Sequence, residues 1–311
     1  ALELSKSVHQ PQEWLESFAK ATNKQTLNKA AISSLRVLVM NQTMTACREE
    51  SYYKEDGTLI QLDSSMLLSA GAQSRMIDAK KDEQEIVAAR LAQINKYPNM
   101  EVKVMAGDCL EAALLLKQQY GEDYPVAVLN MANAYTPGGG YRAGCGAQEE
   151  NLHRRSNLYQ CLDDPDRLHK GRKWYYPIAE FAGIFTPNAA VFRSSEAKGY
   201  TFYDHPHTVS FLTVAAYNRP STIYDTNRKL RLSKEAEKGT KKKIRHIIDM
   251  ALVCGMKSVV LCAFGAGAFG NPPDHIAEIF QQVLQEYPGA FEHVIFAIFD
   301  DHNSHRGHNP E

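Results

Sequence analysis

From Glu101 onward the chain changes texture, and that change limits the folds open to it. Short runs rich in valine, isoleucine and phenylalanine occupy 101–106, 126–131, 189–193, 209–216, 258–264 and 293–299, and they read as strands. Stretches of helical periodicity lie between them, at 110–119, 149–162, 233–254 and 274–286. Such alternation builds an α/β sandwich around a mixed, mostly parallel central sheet. Ligands of such sheets bind at the carboxyl ends of the strands. Residues 1 to about 100 read differently. Apolar residues recur at helical spacing over 27–47 and 82–97, around a turn at Glu55-Asp56-Gly57 followed by an alternating run. The expected division is a mostly helical N-terminal extension, 1–100, packed on a ligand-binding core, 101–311.

The formal net charge of −1 supplies no global field for DNA or a membrane surface, so an anionic ligand has to be met locally. No apolar run has the length of a membrane span, and ALELSKSVHQPQEW does not read as a signal peptide. Six cysteines (Cys47, Cys109, Cys145, Cys161, Cys254, Cys262) are scattered without a Cys-x-x-Cys pair. That spacing fits neither a zinc site nor a disulfide scaffold and points to a reducing, intracellular setting, the cytoplasm or, in a eukaryote, the nucleus.

Three loops at predicted strand ends carry candidate chemistry. After 101–106 comes Gly107-Asp108-Cys109. Asp108 can cap the next helix or accept hydrogen bonds from a ligand amino group. After 126–131, which ends near Asn130 and Asn133, come Pro137 and the triplet Gly138-Gly139-Gly140. The triplet is a flexible turn or a nest of N–H groups for a phosphate. Gln148-Glu149-Glu150 then opens a helix. Acids there are favoured by the helix dipole. As neighbours they project about 100° apart and serve different ends, one able to bind a sugar hydroxyl and one to reach a bond to be broken. Cleaving a glycosidic bond needs such a carboxyl group to protonate the leaving oxygen and activate water.

The third loop is Gly265-Ala266-Gly267-Ala268-Phe269-Gly270-Asn271-Pro272-Pro273. It matches G-x-G-x-x-G but stands before the last strand, whereas a dinucleotide fingerprint opens its sheet. What survives is the physics of small residues and a helix N-terminus facing an anion. Two such loops on one sheet edge suggest a diphosphate.

The string GGGYRAGCGAQEE fits the GGG-x(6–8)-QEE signature of poly(ADP-ribose) glycohydrolases. AVLNMANAY, LHRRSNLY, VSFLTVAAYN and FGAGAFGNPP also resemble bacterial-type members, from about Glu101 to Asp301, and TACREESYYKEDGTLIQL extends the likeness more loosely toward the N-terminus. The resemblance implies a macrodomain-like α/β/α sandwich with an N-terminal helical extension. It implies ADP-ribose across the strand ends: Asp108 on the adenine amino group, Asn133 and Asn130 on the distal ribose, the triplet and Gly265 to Gly270 on the diphosphate. Gln148 and Asn271 count among its substrate-binding residues. Glu149 would hold a ribose hydroxyl, Glu150 would be the general acid and base, and Phe269 would pack beside the distal ribose. It implies no metal and no cofactor. The partners are poly(ADP-ribose) or an ADP-ribosylated protein, with ADP-ribose as product and neither DNA nor membrane. Tyr141-Arg142 and Cys145 depart from the usual spacer. The readings that compete are hydrolysis of mono-ADP-ribose on a protein and a reader that binds without cutting.

Other features read as structural. Lys234 to Arg245 is a solvated helix face. His302, His305 and His308 belong to a tail, His205 and His207 to a loop, and Trp14 and Trp174 to packing.

Overall fold

The computed structural model describes residues 8–169 and 175–299. In chain order, α1 (Pro11–Ala21) and α2 (Lys29–Arg48) are followed by a hairpin, β1 (Ser51–Tyr53) and β2 (Leu59–Gln61), and by α3 (Ser64–Ala72). Then come β3 (Arg75–Asp78), α4 (Glu83–Gln93), β4 (Glu101–Ala106), α5 (Cys109–Tyr120) and β5 (Val126–Met131). The signature segment forms α6 (Gln148–Arg155) and α7 (Leu158–Leu162). Next are the long strands β6 (Ala182–Arg193) and β7 (Phe202–Val214) and a second hairpin, β8 (Thr222–Tyr224) with β9 (Leu230–Leu232). The chain finishes with α8 (Lys234–Val253), β10 (Ser258–Leu261), α9 (Pro273–Leu284) and β11 (His293–Ile298).

These elements fall into two compact units, one drawn from 1–74, 136–174 and 186–209, the other from 75–135, 175–185 and 210–311. The units cut across the boundary expected near residue 100, because β3, ahead of it, is a sheet strand, while the signature segment groups with the N-terminal helices.

The second unit holds a seven-stranded sheet in the order β3-β6-β7-β5-β10-β11-β4, to which β6 gives its first residues and β7 its last. β7, β5, β10, β11 and β4 pair in parallel, and β3 pairs antiparallel with β6. The core forms because α8 buries Ile244, Ile247, Ile248, Ala251 and Leu252, three or four residues apart, and α9 buries Ile276, Ile279, Phe280 and Val283. They share a cluster with Ala127, Leu129, Leu212, Val259 and Val294 of the strands. Each large aliphatic buried there contributes about 2 kcal/mol. The charged run of α8 keeps Lys234, Glu235, Lys238 and Lys242 exposed, as a solvated face should, while Lys243 is buried.

The first unit has its own core, in which Met40, Ala46 and Cys47 of α2 pack with Tyr52, Leu67, Tyr141, Tyr159 and Phe192. Trp14 is buried against Val39 and Tyr200, as expected of a packing residue. Trp174 and the three tail histidines lie outside the described residues. His205 and His207 lie within β7 rather than in a loop. The helix expected over 149–162 breaks at Ser156-Asn157. There the Asn157 side chain donates to Leu67 O and accepts from Ala190 N–H, and Ser156 forms an antiparallel bridge with Val191.

Candidate active site

The two glutamates of the signature open α6, and both are buried, Glu149 at 3 % and Glu150 at 7 % exposure. Burying carboxylates is costly unless donors meet them. The donors are the glycines. Gly138 N–H donates to Glu149 Oε1 at 3.1 Å and Gly140 N–H donates to Glu150 Oε1 at 2.8 Å. Gly139 N–H donates to Thr136 O at 3.0 Å. All three N–H groups of the triplet thus donate within this segment, two of them to the glutamates. The close approach also explains why side chains are absent. Gly139 has φ +56°, and a Cβ on it would lie 2.5 Å from Glu150 Oε1 and 3.2 Å from Glu149 Oε2. Glu150 Oε2 is buried and has no hydrogen-bond partner among the described residues.

The loop between the triplet and α6 is held from behind by α2. A Cβ on Gly144 would meet Ser33 O at 2.2 Å, and one on Gly146 would meet the Arg36 guanidinium at 2.1 Å. Arg36 in turn makes two 2.8 Å hydrogen bonds to the Glu196 carboxylate. Burial pushes the Glu196 carboxyl up, but the Arg36 bonds and charge outweigh it and hold the group below its usual range. Tyr200 Oη donates to Glu196, Arg154 Nε donates to Tyr200 Oη, and Arg154 Nη1 donates to Cys145 O at 2.7 Å. Arg142, at the exposed rim, pairs with Asp163 at 2.6 Å beside the Tyr141 hydroxyl.

The second unit carries the remaining candidates. Asp108 is the N-cap of α5, accepting from Glu111 N–H at 3.0 Å. Asn130, the penultimate residue of β5, is fully buried with its Nδ2 on Thr213 Oγ1. Asn133, half-buried just past β5, accepts from Tyr135 N–H. In the loop after β10, Asn271 closes the turn: its backbone N–H and its Nδ2 both reach Gly265 O at 3.0 Å, and Nδ2 also reaches Tyr217 O at 2.8 Å. Its Nδ2 is thus a clip within the loop. A Cβ on Gly265, at φ +74°, would lie 2.5 Å from Asn271 Nδ2. Gly267, Ala268 and Phe269 donate no backbone hydrogen bond among the described residues. This loop, unlike the triplet, leaves N–H groups for an anion.

The family model for the microbial-type PARG catalytic domain matches residues 40–194. Those residues are similar to the microbial-type PARG catalytic domain. The match spans Gly138 to Glu150 and the second half of α2, but not Ser33 and Arg36. Among solved structures, the poly(ADP-ribose) glycohydrolase of Thermomonospora curvata, bound to the inhibitor ADP-HPD, is 28 % identical, with 86 % of this chain and 94 % of that one covered and a TM-score of 0.68. A further structure of the Thermomonospora curvata enzyme is 29 % identical over 84 % of this chain and 92 % of that one, also with a TM-score of 0.68. The poly(ADP-ribose) glycohydrolase of Deinococcus radiodurans in complex with ADP-ribose is 25 % identical over 78 % and 93 %, with a TM-score of 0.62. No curated protein sequence matches the chain.

The sequence pattern singled out Glu149, Glu150 and both loops as candidates. It did not single out Arg36, Glu196, Tyr200 or Arg154, and no local pattern marks them, since Arg36 and Glu196 are 160 positions apart. Among the described residues no group of three or more His, Cys, Asp or Glu side chains is placed to hold a metal ion, and no helix is long and apolar enough to cross a membrane.

Proposed function

We propose that the chain is a poly(ADP-ribose) glycohydrolase that cleaves ribose–ribose O-glycosidic bonds and releases ADP-ribose from chain ends. The observation that carries the reading is the pair of buried glutamates held by glycine N–H groups, inside the segment that matches the PARG catalytic domain. Glu150 is the general acid and base: a proton passes from its free Oε2 to the leaving oxygen, and the same oxygen then takes a proton from the attacking water. Glu149, with one oxygen anchored on Gly138, binds a ribose hydroxyl. The loop Gly265 to Gly270 meets the diphosphate through the N–H groups of Gly267, Ala268 and Phe269. Asn133 holds the distal ribose, and Asp108 meets the adenine amino group. Carboxylates buried to 3 % and 7 % exposure suit a terminal residue better than the interior of a polymer, which supports cutting at ends.

The test is digestion of poly(ADP-ribose) with products separated by size, for wild type and Glu150→Ala. Free ADP-ribose from wild type and none from the variant supports the reading. Early oligomeric fragments would remove the exo assignment. Release from mono-ADP-ribosylated protein but not from polymer would move the substrate to protein adducts.

A further inference from the structure

His153 belongs to none of the roles above, yet it touches the clamp from below. It lies on α6 one turn after Glu149 and is fully buried. Its Nδ1 is 2.8 Å from the backbone carbonyl oxygen of Glu149. A carbonyl only accepts, so Nδ1 carries the proton and Nε2 is the bare nitrogen. Nε2 is buried and has no partner among the described residues. The ring edge faces the triplet: a Cβ on Gly138 would meet His153 Cδ2 and Nε2 at 2.7 Å each. Tyr141, immediately after the triplet, packs on the same ring with centroids 5.2 Å apart. Gly138 carries one of the two N–H groups that hold the glutamates, and Tyr141 directly follows Gly140, which carries the other.

We propose that His153 is a positioning residue: it braces the glycine triplet on α6, so that Gly138 and Gly140 hold Glu149 and Glu150 in register. The inference rests on the role given to Glu150. A purely space-filling residue would be apolar here, because an unpaired nitrogen in the interior is destabilising. What the imidazole offers is a donor fixed on the Glu149 carbonyl together with a flat edge thin enough to lie under Gly138. Both depend on the ring's orientation. Leucine fills the volume without the donor. Asparagine places an amide N–H near the position of Nδ1 and restores the donor without the full ring.

The experiment compares full-length wild type, His153→Leu and His153→Asn for kcat and KM on poly(ADP-ribose), for ADP-ribose binding by calorimetry, and for thermal midpoint. The expected result is a fall in kcat of about tenfold or more for His153→Leu, with KM and ADP-ribose affinity within about threefold and part of kcat regained in His153→Asn. Affinity falling in step with kcat, or kcat unchanged in a folded His153→Leu, overturns the proposal. Should His153→Leu not fold, His153→Asn decides: near-wild-type kcat supports the brace, and a tenfold loss in the folded protein overturns it. Wild-type inactivity on polymer would sink the functional reading alone. The Gly140 N to Glu150 Oε1 separation in a crystal structure of the folded variant then decides for His153: opened beyond hydrogen-bond reach supports it, and unchanged at 2.8 Å contradicts it.

Discussion

Gly140 N–H and Glu150 Oε1 are 2.8 Å apart, and that bond leaves the other carboxylate oxygen of Glu150 as the free one. A backbone donor on one oxygen removes the rotational choice that a buried glutamate otherwise has. Under the role proposed for Glu150, the reacting oxygen is then selected before substrate arrives, which is the preorganisation that general acid–base catalysis needs.

Gly139→Ala puts a methyl group 2.5 Å from Glu150 Oε1 in a backbone conformation that disfavours a side chain. We expect kcat to fall about 100-fold, the effect of moving a catalytic group by roughly an ångström. ADP-ribose affinity measured by calorimetry should change far less. Parallel loss of affinity would return the triplet to the diphosphate.

Asn271→Ala should give the opposite split. The substitution removes two hydrogen bonds that close the loop of Gly265 to Gly270, at Gly265 O and Tyr217 O. Loss of buried bonds of this kind costs about 1–3 kcal/mol, so ADP-ribose binding should weaken about tenfold or more. kcat at saturating substrate should hold. A calorimetric titration showing wild-type affinity would contradict the part assigned to this loop.

Much of this was legible in the sequence because it depends on local pattern. The strands at 101–106 and 126–131 and the helix α9 follow from periodicity, and the glycines and glutamates announce themselves. The four residues of β3 are too short a run to carry a period. The task of the triplet was not legible, since which acceptor takes a glycine N–H depends on where α6 sits in space. Likewise Arg36 and Glu196 are 160 positions apart, and only the fold brings them together.

Arg36→Leu tests that pair. The Arg36 side chain is 6 % exposed and Glu196 23 %. Removing one partner of a buried pair costs about 3 kcal/mol through the charge left behind. Urea denaturation should show a loss of that order, and a midpoint within error of wild type would contradict it.

Acid should weaken the fold before the carboxylates titrate. Burial, helped by Arg193, pushes His9 down to about 4, and burial pushes His153 down to about 4 against the hydrogen bond to Glu149. Each binds fewer protons folded than unfolded, where the value is 6.5. Their contribution is therefore full above the unfolded value and is lost as pH falls from there to the folded one, by about 1.4 kcal/mol per pH unit for each group. Urea midpoints between about pH 7.5 and 4.5 should fall with pH, less steeply in His9→Gln. A flat profile across that window would show that neither histidine is held neutral.

The most direct test of the account is Glu150→Gln against wild type on poly(ADP-ribose), with ADP-ribose binding measured on both. Glutamine keeps an oxygen for Gly140 N–H but cannot exchange the proton. The account predicts wild-type affinity for ADP-ribose and no release of ADP-ribose from polymer. Substantial release by Glu150→Gln would contradict it, because the proton would then be moving through another group.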